Sequence, residues 1–219
     1  MTARTRRGIA KFMWPSVAVA VVCVTMMEAP EAQSQSSPDR KRVMAAVAIG
    51  AARPSDPSFR ELYGPVQYPV SVQADFEVRK HVSIFAGYGY LRRAGTTLAA
   101  DPALLPGDPI KFSMHSIKAG LSYAVPFGRV TLLGSGGAGF HRYHENWEAA
   151  GIATTGNKTG FIAQGQVEYA LTRVVSMVGR VEYMRAVIRA KSVMENDASL
   201  GRLEVSLGVS LCLNQLVWR

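Results

Sequence analysis

Hydrophobic and polar residues alternate along most of the chain after residue 40. The segment VSVQADFEV shows this most clearly, since every second residue from Val70 to Val78 is apolar and those between are polar. A period of two places the two sets on opposite faces of a β-strand. Eight segments follow the pattern, at about residues 41–50, 66–78, 82–92, 111–125, 128–143, 160–171, 175–188 and 200–213. No useful 3.6-residue period occurs there, so the sequence predicts an all-β fold.

The connections between these segments alternate in length. The short ones are RKH, PF and TRV, whereas the long ones, near 51–65, 93–110, 144–159 and 189–199, are rich in turn-forming residues. In an up-and-down barrel every second connection lies at the same end, so one rim has the short turns and the other the long loops. This asymmetry is typical of outer-membrane barrels. The sequence therefore predicts an eight-stranded antiparallel up-and-down transmembrane β-barrel over residues 41–219.

Pairing across the three short turns keeps each apolar face together. The predicted pairs nearest the turns are Val78 with Val82, Val125 with Gly128, and Leu171 with Val175. Further along the strands they place Phe76 opposite Ile84, Val72 opposite Tyr88, Tyr123 opposite Val130, and Tyr169 opposite Met177. A slip by one residue would mix apolar and polar faces in every case.

The polar face carries charges that a lipid environment penalises. An Arg or Lys at the bilayer midplane costs about 2–4 kcal/mol, so we expect the apolar face to meet lipid and the charges to point into the barrel. The predicted interior charge network consists of Asp75, Glu77, Lys118, Glu168, Arg180, Glu182, Arg202 and Glu204. In strands seven and eight the predicted register puts Arg180 opposite Glu204 and Glu182 opposite Arg202, with Val181 opposite Leu203. Such a network would fill the lumen.

The first 32 residues read as a cleaved signal peptide. A basic head is followed by the uncharged run FMWPSVAVAVVCVTMM and then by a small-residue, polar stretch. Cleavage after Ala32 leaves a short polar segment, 33–40, before the barrel. It removes four basic and two acidic residues, which takes the net charge from +9 to +7, and it leaves Cys212 as the single cysteine. The remaining positive charge favours anionic surfaces as partners.

Gly134, Gly136 and Gly139 match the G-x-G-x-x-G spacing of a dinucleotide-binding loop. Such a loop opens a helix and is followed by an acidic residue about 20 positions on. Here a turn-rich stretch follows, with no strand–helix–strand unit. The glycines are better explained by the curvature of a small barrel and by space for larger interior side chains. The sequence predicts no cofactor.

These features together carry a family resemblance. The signal peptide, the eight alternating segments, the FAGYGYLRR run and the closing RLEVSLGVSLCL resemble the small OmpA/OmpX-type outer-membrane β-barrel proteins. The resemblance implies a bacterial outer-membrane protein, handled by the barrel assembly machinery, with a structural or surface-interaction role in its long loops. The chain departs from the family at its end, where Arg219 follows Trp218 in place of a terminal aromatic residue.

Two other functions remain open at this point. Some eight-stranded outer-membrane barrels modify lipid A, and the residues available for such chemistry are His115, His141, His144 and Glu145 with Ser113 or Ser135. His141, Tyr143 and His144 are too sparse to predict a metal site. A soluble, secreted lipocalin-like barrel would line a ligand cavity with the apolar face. We expect the non-enzymatic membrane barrel, with no nucleic-acid partner.

Basic residues gather at the rim of the long loops. They are Arg92, Arg93, Arg142, Arg185, Arg189 and Lys191. That rim faces outwards in this class of barrel, where lipid headgroups carry phosphates. We expect these residues to hold outer-membrane lipids, lipopolysaccharide in particular, by charge-assisted contacts.

Overall fold

The computed structural model describes residues 42–96, 107–186 and 200–215. They contain eight strands: β1 Val43–Pro54, β2 Val70–Arg79, β3 Val82–Thr96, β4 Pro109–Phe127, β5 Val130–Trp147, β6 Ile152–Ala170, β7 Val175–Arg185 and β8 Arg202–Cys212. Each strand pairs antiparallel with the next, and β8 pairs with β1 to close the barrel. The predicted eight-stranded up-and-down barrel is therefore confirmed. The predicted signal peptide, 1–32, the polar segment, 33–40, and the Trp218–Arg219 terminus lie outside the described residues.

The two faces of the wall differ as the alternation predicts. Apolar side chains cover the outside, where Leu207 is 71% and Ile49 64% exposed. Polar side chains such as Gln73 and Gln166 are buried inside. This arrangement excludes the lipocalin-like alternative, because the apolar face does not line a cavity. No helix in the described part of the chain is long and apolar enough to cross a membrane.

Two of the three predicted hairpin registers hold along the strands. Between β2 and β3, Phe76 lies opposite Ile84 and Val72 opposite Tyr88. Between β6 and β7, Tyr169 lies opposite Met177. The amide of Leu171 also bonds the carbonyl of Val175, as predicted. The pair Val78–Val82 is wrong, since Arg79 pairs with Val82 after a bulge between Glu77 and Arg79. A bulge adds one residue to one strand, which a strict alternation does not reveal.

The third hairpin register, between β4 and β5, and the register predicted for β7 and β8 are each shifted by an even number of residues. Phe127, not Tyr123, pairs with Val130, because the β4–β5 turn is made by Gly128 and Arg129. Gly128 has φ +60°, which suits the first position of a two-residue hairpin turn. Val181 pairs with Val205 and not with Leu203. Even shifts leave every side chain on its predicted face while changing its partner.

One short helix was not predicted. Helix α1, Pro57–Tyr63, lies in the first long loop. The Asp56 carboxylate accepts hydrogen bonds from the amides of Ser58 and Phe59, and Gly64 follows the helix at φ +85°. An N-cap aspartate, a proline at the first helical position and a closing glycine are typical helix boundaries. The helix has seven residues, too few for a periodic pattern to appear.

The wall of the barrel is uneven in height. β4, β5 and β6 have 19, 18 and 19 residues, whereas β7 and β8 have 11 each. A membrane-spanning strand needs about 9–11 residues. We call the excess at the long-loop end, residues 90–96, 109–115, 142–147 and 152–157, the tall sheet. The glycine run lies within β5, so it forms part of a continuous strand and not a nucleotide-binding loop.

Candidate functional site

The lumen is filled in two layers, and the layer at the long-loop end is apolar. We call this layer the apolar cap. Its buried members are Tyr63, Leu91, Ile110, Phe112, Met114, Ile162, Met184, Ala186 and Leu200. Helix α1 packs against the cap through Phe59, whose ring centroid is 4.9 Å from that of Phe112 in an edge-on contact. The helix therefore closes the mouth of the barrel at the long-loop end with apolar side chains.

Polar contacts fix α1 over the apolar cap. The Tyr63 hydroxyl donates a hydrogen bond to the Glu145 carboxylate, and Arg93 Nε donates to the Tyr63 carbonyl at 2.8 Å. β3 approaches so closely that a Cβ on Gly95 would stand 2.2 Å from the Leu62 carbonyl oxygen. Because these contacts come from β3 and β5, the helix is tied to the barrel wall on two sides.

We expect the protein to lose stability above about pH 10 through Tyr63. Burial raises the pKa of Tyr63 above its ordinary value of 10.0, and the Glu145 carboxylate raises this pKa further. The unfolded chain then releases this proton near pH 10 while the folded protein keeps it, so stability is full below that pH and falls as pH rises. Unfolding by denaturant across this range checks it, with Tyr63→Phe as control. An equal decline in both proteins would contradict the assignment.

The second layer of the lumen is charged. Seven of the eight predicted network residues are buried, and Glu77 is half-buried. Lys118 Nζ lies 2.5 and 2.6 Å from the two carboxylate oxygens of Glu182, and both side chains are at most 4% exposed. Arg202 Nη2 lies 2.9 Å from Glu204 Oε2 within the same strand. We call these residues, with Asp75, Glu168 and Arg180, the charged layer.

The predicted pairing of Arg180 with Glu204 is wrong, and so is that of Glu182 with Arg202. Glu182 lies opposite Glu204 in the register, and Arg180 lies opposite Ser206. Arg180 Nε donates instead to Gln166 Oε1 on the neighbouring strand at 2.8 Å. Because like charges face each other across β7 and β8, each carboxylate needs its own cation, and these are the Lys118 and Arg202 side chains described above.

A further cation lies at the edge of the charged layer. Among the described residues, three buried cations accompany four buried carboxylates. Arg42, just before β1, supplies a fourth cation, with Nη2 3.6 Å from Glu168 Oε2. Sequence reasoning missed Arg42, because it precedes the alternating pattern and its partner lies 126 positions away in the chain. Arg42 is itself partly exposed, with 42% of its side chain open to solvent, so it compensates Glu168 from the edge of the layer.

The residues considered for catalysis are divided between the two sides of the wall. Inside, His141 Nδ1 contacts Ser116 Oγ at 2.9 Å, and Ser135 Oγ donates to Ser122 Oγ. Glu145 also faces inwards, where it accepts the bond from Tyr63. Ser113, His115 and His144 occupy strand positions that face outwards, and no acidic residue lies beside them in the register. On the inside, His141 contacts Ser116 and Glu145 bonds Tyr63, so the hydrogen bonds of the described residues join no serine, histidine and carboxylate into one set. No group of three or more His, Cys, Asp or Glu among the described residues is placed to hold a metal ion.

The basic rim residues are also divided. Arg92, Arg142 and Arg185 are exposed on the outer face, whereas Arg93 faces inwards and holds α1. Arg92 and Arg93 separate because consecutive strand residues point to opposite sides. Arg93 therefore cannot join the predicted lipid contacts. Arg189 and Lys191 lie outside the described residues.

Two rows of polar residues cross the outer face of the tall sheet, and we call them the basic rows. Strand register aligns Arg92, Ser113, His144 and Thr155 in the upper row, and Tyr90, His115, Arg142 and Asn157 in the lower row. A recess of about 300 Å³ lies at their junction, lined by Ser113, His115, Arg142, Tyr143, His144 and Thr155. Arg185, opposite Phe161, lies away from this recess.

The two imidazoles of the basic rows are each fixed by a neighbour. His115 Nδ1 is 2.6 Å from the Tyr88 hydroxyl, and His144 Nδ1 is 2.9 Å from Thr155 Oγ1. Each ring therefore uses Nδ1 for a contact within the sheet, which leaves Nε2 for a ligand. From the sequence alone, these histidines are candidates only for catalysis or metal binding.

Comparison with known proteins gives a match in structure alone. No family model matches the chain, and no curated protein matches it in sequence. The outer membrane protein OprG from Pseudomonas aeruginosa superposes with a TM-score of 0.59 at 12% identity, covering 78% of this chain and 95% of OprG. Neisserial surface protein A does so with a TM-score of 0.53 at 15% identity, covering 78% and 96%.

A third similar structure is Ail, the attachment invasion locus protein of Yersinia pestis, in complex with the heparin analogue sucrose octasulfate. Its TM-score is 0.53 at 12% identity, and the match covers 78% of this chain and 98% of Ail. At these identities the likeness concerns the fold, and it confirms the fold that the sequence resemblance implied. The chain has the fold of the OmpA/OmpX-type outer-membrane β-barrels.

Proposed function

We propose that the protein is an integral outer-membrane barrel that does not conduct and that acts through its outward end, in a structural or surface-interaction role. The observation that carries the proposal is the filled lumen. The apolar cap and the charged layer occupy successive levels of the same barrel, and α1 covers the mouth. An eight-stranded barrel is just wide enough for side chains to fill.

The outer surface supports a place in the membrane. Large apolar side chains are exposed on every strand, among them Val47, Val72, Ile84 and Leu121 at 47% to 60%. Exposed apolar area on this scale marks contact with lipid or with another protein. Its continuity around a closed barrel favours lipid, since a protein partner would cover one side.

The outward end supports the surface role. It combines the tall sheet with exposed basic side chains, whereas at the other rim the exposed basic residues Lys80, Arg129 and Arg173 lie in short turns with no extended surface above them. Ail, one of the similar structures, was solved with a heparin analogue, which is a polyanion. A basic outward end suits an anionic partner of that general charge.

Reconstitution tests the proposal directly. We expect the protein to fractionate with outer membranes and to migrate faster on a gel before heating than after it. In planar lipid bilayers it should give no stable conductance steps at neutral pH. Discrete channel openings by the wild-type protein would contradict the filled lumen, and recovery in a soluble fraction would contradict the membrane location.

Modification of lipid A is the alternative function. Mass spectrometry of lipid A from cells with and without the protein tests it. We expect identical lipid A profiles, because the outward-facing Ser113, His115 and His144 share no hydrogen bond with a described carboxylate, and the inward-facing Glu145 bonds Tyr63 and not His141. A lipid A species that appears only with the protein would overturn the non-enzymatic proposal.

A further inference from the structure

We propose that the basic rows form a binding site for the phosphorylated headgroup of a glycolipid in the outer leaflet, namely the lipid A part of lipopolysaccharide. The inference rests on the proposed outer-membrane location and deepens it, because it names a ligand class and the side chains that contact it. The site lies on the lipid side of the wall, and not in the lumen or at the tips of the loops.

The level of the rows places them next to headgroups. Directly below the lower row, the register aligns Tyr88, Ile117 and Phe140, which are 44%, 61% and 44% exposed. These apolar side chains suit acyl chains. The outward-facing side chains therefore change from apolar to basic between two positions of the same face, about 7 Å apart along the strand. A lipid packed against the apolar row would bring its headgroup to the basic rows.

The charges of the rows are available to a ligand. Among residues 42–96, 107–186 and 200–215, no carboxylate forms an ion pair with Arg92 or Arg142. Lys111, the next basic residue above, is different because it pairs with Glu148. Exposed guanidinium groups bind phosphate through charge-assisted hydrogen bonds, often with two nitrogens at once.

The recess gives the site its shape. Ser113 is small, and the larger side chains of His115, Arg142 and His144 line the recess around it. Arg92 is the register partner of Ser113 on β3, at the edge of the recess. A phosphate seated over Ser113 would meet the serine hydroxyl, the free edges of the two imidazoles and the guanidinium groups. Because each imidazole is already oriented by Tyr88 or Thr155, little side-chain freedom is lost on binding.

The test compares matched arginine pairs at the two rims. Native mass spectrometry measures binding of bisphosphorylated lipid A to the detergent-folded full protein, to Arg92→Gln/Arg142→Gln, and to Arg129→Gln/Arg173→Gln. The second pair consists of exposed arginines in the short turns, so both variants lose the same charge. We expect affinity to fall at least about tenfold in the first variant and to stay within about twofold in the second. Heat-modifiable migration verifies that each variant is folded.

Each other outcome overturns the inference. Equal affinity for lipid A in the wild type and in Arg92→Gln/Arg142→Gln would show that the basic rows do not bind it. An equal loss of affinity in both double variants would show a general effect of charge. Inorganic phosphate that displaces lipid A at comparable concentration would make free phosphate the ligand. A failure here with a closed, membrane-located barrel leaves the proposed function standing, whereas channel openings would contradict that function whatever the lipid result.

Discussion

Replacing Lys118 with methionine should lower the free energy of unfolding by about 3–5 kcal/mol, more than replacing both Lys118 and Glu182 with apolar residues. The lysine ammonium contacts both oxygens of the Glu182 carboxylate, and the pair is almost entirely shielded from solvent. Removing the cation alone leaves a buried carboxylate beside Glu204, which lies opposite it. Removing both charges takes away the ion pair without leaving an unpaired charge behind.

A double-mutant cycle with Lys118→Met and Glu182→Leu measures this, by unfolding with denaturant in detergent. The control cycle uses the ion pair of Lys111 and Glu148, whose side chains are 49% and 40% exposed. We expect the control pair to couple by less than about 1 kcal/mol, since solvent screens it. If the buried pair couples no more strongly than the exposed one, the two charges are not the partners that hold the charged layer together.

Gly137→Ala should destabilise the barrel by at least about 3 kcal/mol, whereas Gly136→Ala, one residue away, should change stability by less than about 0.5 kcal/mol. A Cβ at Gly137 would stand 2.2 Å from the Ala119 carbonyl oxygen and 2.8 Å from the Gly120 Cα. Backbone atoms cannot move aside as a side-chain end can. At Gly136 nothing lies within 4 Å of the new methyl group.

Refolding into detergent and subsequent unfolding of the two variants provide the measurement, since both carry the same substitution in the same strand. Gly120, opposite Gly137, should behave like Gly137, because its Cβ would meet the Gly136 carbonyl oxygen and the Phe85 ring. Similar stability of the Gly136 and Gly137 variants would show that β4 and β5 do not approach as closely as described. The glycine run thus serves strand packing at Gly137 and has no such constraint at Gly136.

The sequence predicted the barrel and the orientation of its faces because both depend on a period of two. Whether Gln73 or Val72 faces inwards follows from its odd or even position in the strand. The bulge between Glu77 and Arg79 changes this only at the end of β2, and the even register shifts do not change it at all. The order of strands followed from the alternation of short and long connections. These are local features, and the sequence displays them directly.

Specific partners could not be predicted in the same way. Alternation leaves the register undetermined by multiples of two residues, and the long loop between β7 and β8 gives no turn geometry to decide it. Arg180 was therefore assigned to Glu204, although it contacts Gln166. Lys118 and Glu182 lie on strands that are not neighbours, β4 and β7, so their contact depends on side chains that reach across the lumen. Helix α1 was missed because its capping residues, Asp56 and Gly64, were read as parts of a loop.

The uneven strand lengths make the two sides of the barrel different. At about 3.4 Å per residue and a tilt of about 40°, the strands of 19 residues rise about 50 Å along the barrel axis, and those of 11 rise about 30 Å. An apolar band is about 25 Å tall, and β4 and β6 extend roughly 20 Å further along the axis than β7 and β8 do. A neighbour that diffuses within the membrane and approaches the tall sheet therefore meets this barrel above the membrane surface as well as within it. In a crowded membrane, the rotational orientation of each barrel therefore decides which neighbours meet the tall sheet.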